Sequence, residues 1–230
     1  MNLLALETST RLLSVALWRD GALLERHQDQ INGGSDRILP WVRELLAEAE
    51  LTLPRLDGIA FGAGPGSFTG LRLACGITQG LAFGADLPVL PVGSLEALAL
   101  ASGRRRVYAC LDARMGEVYS ACYALEASRL VEVQAPTVTT PDAAPVPAGE
   151  GWTGCGDGFA VYGPVLSARL GTCLVSTEPL WLPTAASVAT LAAPRLAAGE
   201  GLPASQAAPL YIRDKVALTT AERLARGGRA

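Results

Sequence analysis

An α/β protein made of two repeated lobes is what this 230-residue chain predicts, and three observations carry the prediction. The strand "LLAL" ends at Glu7 and an apolar strand "LSVALW" returns after a short turn; about one lobe later "VYACL" ends at Asp112 and "EVYSACYA" returns. Further strand and helix patterns follow each of these hairpins, as expected of a duplicated α/β unit. Half of the residues are hydrophobic, which at this length is enough to bury a sizeable core. The join falls near Ser102-Gly103 and divides the chain into lobes 1–103 and 104–230, with a C-terminal tail that packs back on the first.

Apolar or alternating runs place the early strands at "LLALE", "LSVALWRDGALLERHQ" and "LDGIAFG", with Asp20-Gly21 as the tight turn of a hairpin. A helix starts at Ser35 and gathers Ile38, Leu39, Trp41, Val42, Leu45, Leu46 and Ala49 on a wide apolar arc. After "LPVLPV" and a helix near "SLEALALA" comes the second hairpin. Beyond it, "APTVTTPDAAPVPAGEG" reads as a loop, "WTGCGDGFAVYG" as a glycine-rich turn, and "TAASVATLAAPRLAAGEG" as a helix ended by Gly199.

Charge and composition exclude several classes. A formal net charge of -3 argues against free-standing nucleic-acid binding, which relies on a broad basic surface. The five cysteines form no C-x-x-C pair and sit among apolar neighbours, as buried thiols of a reducing cytoplasm do. "MNLLALETST" lacks the basic start of a signal peptide, and no apolar run approaches the roughly 20 residues a membrane helix needs.

The segment "FGAGPGSFTGLRLACGITQGLAFGAD" matches neither glycine-rich phosphate motif. Gly70 is followed by Leu71 rather than lysine, and the G-x-G-x-x-G count from Gly62 or Gly64 lands on Ser67 or Thr69. Its first half reads as a strand-to-helix turn with Ser67 or Thr69 as N-cap. In its second half Gly76, Gly80 and Gly84 recur every four residues on one stripe of a helix whose Leu73 and Ile77 are also apolar. Such a stripe lets a second backbone approach closely, so this helix and the preceding one form half of a helix bundle. The expected partner face is Ile38, Trp41, Val42, Leu45 and Leu46 with Leu73, Gly76, Ile77, Gly80 and Gly84; burial wholly within the lobe is the competing reading.

The stretches "LALETSTRLLSVAL", "GAGPGSFTGLRLACG", "LDARMGEVYSACY" and "APLYIRDKVA" together resemble the TsaB (YeaZ) family over most of the chain. The resemblance implies an actin-like, sugar-kinase-like (ASKHA) α/β fold of two duplicated lobes with mixed sheets. It also implies a cytoplasmic, non-catalytic subunit that binds and activates a TsaD-like paralogue, with a TsaE-like ATPase, in threonylcarbamoyl transfer to adenosine 37 of ANN-decoding tRNAs. Docking is with TsaD or, without it, between two copies of this chain. ATP and metal then belong to the partner subunits, no cofactor is intrinsic, and tRNA is reached only through the complex.

Departures from the family pattern bear on chemistry. Glu7 stands where most members have Asp, and the "INGGSDRILP" stretch lacks the two histidines with which the catalytic paralogue holds a metal. The one histidine, His27, falls in a strand, so neither a metal site nor catalytic residues are expected. Glu7 and Asp112 stand where ASKHA kinases place carboxylates around Mg²⁺ and phosphate, and Gly154 and Gly156 where an adenosine turn would be. Because no glycine adjoins either acid, structural turns are the favoured reading, ahead of a relic nucleotide site. A small ASKHA kinase or ATPase is the alternative function, and a peptidase ranks below it because "GPGSFTG" is not a G-x-S-x-G elbow. Arg104 to Arg106 read as a solvated edge, with phosphate contact as the second choice.

Overall fold

A computed structural model describes residues 1–29, 35–127 and 129–213. The end of "APLYIRDKVA" and part of "INGGSDRILP" therefore lie outside the described residues. The first lobe runs β1 (Asn2–Glu7), β2 (Leu12–Arg19), β3 (Ala22–Asp29), α1 (Ser35–Glu48), β4 (Gly58–Gly64), α2 (Phe68–Ala85), β5 (Val89–Gly93) and α3 (Ser94–Ser102). The second runs β6 (Arg106–Arg114), β7 (Glu117–Glu126), β8 (Arg129–Thr139), β9 (Trp152–Cys155), α4 (Asp157–Leu170), β10 (Leu174–Glu178) and α5 (Ala185–Ala197). Both sheets have five strands in the same order, β3-β2-β1-β4-β5 and β8-β7-β6-β9-β10. In each, a three-stranded antiparallel meander joins two parallel strands. The repeat read from two hairpins thus extends over two whole mixed sheets.

Strand alternation decides which helix covers which face. Leu4, Leu6, Leu13, Val15, Leu17, Ile59 and Phe61 face α1 and α2, whereas Leu3, Ala5, Ala16 and Ala60 face the opposite side. On that side Ala185, Ala189, Ala192 and Ala193 bring α5 down on the alanines of the sheet, all of them buried. The chain after Thr184 has therefore returned to the first lobe, and Val89 and Leu202 exchange backbone hydrogen bonds of 2.8 Å. Helix α3 spans the two lobes: Ala97 packs in the first, while Leu95, Leu98 and Ala99 pack against β6 and β7 residues of the second. No helix among the described residues is long and apolar enough to cross a membrane.

Three expectations need correction. "APTVT" is the second half of β8 rather than loop, because its residues pair with Val118 to Ser120 of β7. "WTGC" is the central parallel strand β9 and "DGFAVYG" opens α4. On α1, Ile38, Trp41, Val42, Leu45 and Leu46 do not face outward; each is at most 8 % exposed and sits in the core over β1 and β2. A single helix covers the meander side of the sheet there, so all of its apolar arc except Leu39, which is 43 % exposed, is used inside the lobe. Besides Ser35 and its charged side chains, α1 presents Leu39, Pro40 and Ala47 to solvent.

Val42→Glu is accordingly expected to unfold the first lobe rather than to block an interface selectively. An unpaired carboxylate in that core costs several kcal/mol, and thermal melting followed by circular dichroism will show a loss or strong decrease of the transition.

Candidate functional site: the cleft between the lobes and the outer face of α2

The cleft encloses about 560 Å³. The β1–β2 turn and the loop into α2 form one wall, and the β6–β7 turn with Asp157 at the start of α4 forms the other. Residues Leu210 to Arg213 run across it.

The two acids singled out in the sequence are not brought together. Asp112 lines the cleft, where its carboxylate accepts from the Arg114 backbone at 2.9 Å and pairs with the Arg114 guanidinium at 3.0 Å. Glu7 has the orientation of Leu3 and Ala5 and points beneath α3, fully buried. Its carboxylate accepts the Ser9 N–H at 2.5 Å and the Ser94 hydroxyl at 3.2 Å. The glycine missing beside it in the chain lies beside it in space: a Cβ on Gly62 would stand 1.9 Å from Glu7 Oε2. Gly154 and Gly156 also stay out of the cleft lining. A Cβ on Gly154 would strike the Phe159 ring, and one on Gly156 would come within 2.2 Å of the Cys110 carbonyl oxygen. They are places of close packing in the second lobe.

The rest of the glycine-rich loop has the same explanation. Added Cβ atoms on Gly66 and Gly70 would come within 2.5 Å of Ser9 O and 1.9 Å of Thr8 O. The loop is pressed onto the β1–β2 turn and fastened there, with Ser67 N donating to Ser9 O at 2.7 Å and the Thr8 hydroxyl donating to Gly70 O at 2.6 Å. Of the loop amides that could face a phosphate, Ser67 N and Gly70 N are already bonded inside the protein. Ser67 is the N-cap of α2, its hydroxyl accepting from Gly70 N, and His27, on the edge strand β3, is not part of the cleft.

Gly76, Gly80 and Gly84 contrast with these three. All are exposed, and an added Cβ at any of them would meet nothing within 4 Å. They continue outward from Phe68 and Arg72 at the same four-residue spacing, beside Phe83, which is 80 % exposed. Leu73 and Ile77 of the same helix are half-buried at the edges of this face. No contact inside the described chain accounts for the outer glycines.

Two arginines of the 104–106 run are occupied. Arg104 pairs with Glu178 at 2.6 Å, and Arg106 donates to the carbonyls of Glu150 and Ala148 while lying 4.3 Å over Trp152. The sequence reading missed Asp157, although it directly follows the noted Gly156; its carboxylate accepts from Asp112 N at 3.0 Å. It brought a C-terminal tail back to the first lobe but did not find that this tail crosses the cleft, to partners more than 90 residues away in the chain.

Burial dominates the electrostatics. It raises the Asp157 carboxyl, with the Asp112 carboxylate adding to the effect and the Asp112 N–H opposing it. Burial pushes the Cys155 thiol up to about 11 and the Cys122 thiol up to about 12, so neither is a ready nucleophile. Among the described residues no group of three or more His, Cys, Asp or Glu side chains is arranged to hold a metal.

Burial also raises Glu7, against the lowering effect of its bonds to Ser9 and Ser94. A carboxyl raised above its unfolded value contributes stability that is complete below the unfolded pKa and is lost as pH rises through the folded one. Glu7→Gln keeps an acceptor for Ser9 and a partner for Ser94 without the charge. It is expected to melt above the wild type at pH 8, with the difference shrinking toward pH 4.5; a pH series of thermal melts checks this.

Comparison with known proteins agrees with the fold. A family model described as TsaD, tRNA N6-adenosine threonylcarbamoyltransferase, matches residues 34–219. The tRNA threonylcarbamoyladenosine biosynthesis protein TsaB of Escherichia coli (strain K12) is 36 % identical over 226 residues, spanning 94 % of this chain and 96 % of that protein. TsaB of Haemophilus influenzae is 49 % identical over 123 residues, 52 % of each chain. The solved structure of YeaZ from Pseudomonas aeruginosa superposes with a TM-score of 0.83 at 41 % identity, covering 91 % of this chain and 99 % of that one. With two repeated mixed sheets in the ASKHA arrangement and relatives that cover up to 94 % of its length, the chain belongs to the TsaB (YeaZ) family.

Proposed function

We propose that this chain is a non-catalytic subunit that binds and activates a TsaD-like enzyme as it transfers a threonylcarbamoyl group to adenosine 37 of ANN-decoding tRNAs. The observation that carries the reading is the open glycine stripe of α2. Each interior glycine destabilises a helix by roughly 1 kcal/mol relative to alanine, and nothing within the described chain offsets Gly76, Gly80 and Gly84. A helix of a second protein lying along the stripe would. A TsaD-like paralogue suits it, because the relatives that match this chain are named for threonylcarbamoyladenosine biosynthesis. In this reading ATP and metal act in the TsaD-like and TsaE-like subunits, and tRNA is reached through the assembly. Without the enzyme, a second copy of this chain would occupy the same stripe.

The kinase or ATPase reading has less support, since Glu7 lies beneath α3 rather than in the cleft and two of the loop amides, Ser67 N and Gly70 N, are already bonded. The peptidase reading has less still, with Ser67 serving as a helix cap.

Gly80→Leu separates docking from folding. The added side chain has open space in the monomer, and helix propensity favours it by roughly 1 kcal/mol, so at dilutions where both are monomeric the variant should melt no lower than the wild type. Association with the TsaD-like enzyme, measured by size exclusion with light scattering, should be lost along with tRNA modification. Wild-type assembly by this variant would reject the interface. Glu7→Gln with Asp112→Asn should leave modification by the reconstituted complex within a few-fold of wild type. A drop of several orders of magnitude in a folded, assembled complex would assign chemistry to this chain.

A further inference from the structure

The segment that crosses the cleft has an anchor on each lobe and shares residues with the outer face of α2. Leu210 N donates to Ala63 O at the end of β4 at 2.7 Å. Gly64 beside it is built for that approach, since a Cβ there would stand 2.8 Å from the Leu210 carbonyl oxygen. Tyr211 rests on the start of α2. Its ring lies 6.1 Å from that of Phe68, and its hydroxyl accepts from Arg72 Nε at 3.1 Å. Arg72 in turn lies 3.5 Å over the Phe68 ring. On the far side, Ile212 packs against the core of the second lobe, and Arg213 donates to Ala113 O at 3.0 Å and pairs with Glu117 across the β6–β7 turn.

Phe68 and Arg72 precede Gly76 on the same four-residue stripe. A helix docked along the glycines and extended by one or two turns toward the start of α2 would meet the two side chains that Tyr211 covers.

From this shared footing we infer that Leu210 to Arg213 form a latch between the lobes, and that docking on α2 releases it by competing with Tyr211 for Phe68 and Arg72. The inference rests on the proposed docking face and names how docking is coupled to the cleft. Coupling of this kind is reciprocal: a partner that opens the latch binds better when the latch is already weakened.

The test uses the full chain, diluted until it is monomeric, and its cognate TsaD-like enzyme. Amide exchange of Leu210, read by mass spectrometry on the peptide that contains it, reports the latch, and calorimetry reports affinity. In the free protein, Tyr211→Ala and Arg213→Ala should each speed Leu210 exchange at least 10-fold. Saturating the wild type with the enzyme should do the same, and Tyr211→Ala should tighten association at least three-fold. Unchanged Leu210 exchange on docking, or equal affinity of wild type and both variants, overturns the coupling. If the wild type does not bind the enzyme at micromolar concentration, the proposed function and the coupling both fail, and the variants of the free protein still decide whether the latch exists.

Discussion

The close approach of the β4-to-α2 loop to the β1–β2 turn is the constraint on which the rest of the first lobe depends. Three glycines meet the turn at separations that a side chain would not allow, Gly62 against the Glu7 carboxylate, Gly66 against the Ser9 backbone and Gly70 against the Thr8 carbonyl. The contact sets where α2 begins, and with Ser67 capping its first turn the helix lies over β4 with Ala74, Cys75, Thr78 and Ala82 turned inward. Its outer stripe then follows from helical spacing alone. One packing requirement therefore presses the loop onto the turn, buries Glu7 and leaves the outer glycines facing solvent.

The two lobes share a strand order but have been finished differently. In the first, α1 covers the meander side of the sheet. Between β8 and β9 the second lobe has only a short 3₁₀ turn at Pro141–Ala143 and a proline-rich connection, closed by buried Ala144 and Trp152. Helix α4, the counterpart of α2, departs from helical geometry at Tyr162 and carries Pro164. Its glycine neighbours are used for packing on Cys110 and Phe159, so that helix has no open glycine stripe like that of α2. The duplicated fold thus confines the docking feature to one lobe, and α3 and the returning α5 tie that lobe to the other.

What the sequence determined by itself were features written in local order. The repeat shows in two strand-acid-hairpin units, Asp20-Gly21 marks a turn whose residues both take positive φ, and the spacing of Gly76, Gly80 and Gly84 defines a helical stripe. Tertiary structure decided whatever depends on which surface meets which. An apolar arc on α1 reads the same whether it meets a sheet or a partner, and the width of the sheet turned Val42 and Leu45 inward. Glu7 and Asp112 hold equivalent places in their strands, yet a glycine one strand away and Ser94 from α3 draw one into the core while the other lines the cleft. The segment from Leu210 to Arg213 has no periodicity to announce it, because its role comes from partners on β4, α2 and the β6–β7 turn that only folding brings together. Local pattern specifies an element and its faces; the free energy of burial, summed over the whole lobe, selects the neighbour each face receives.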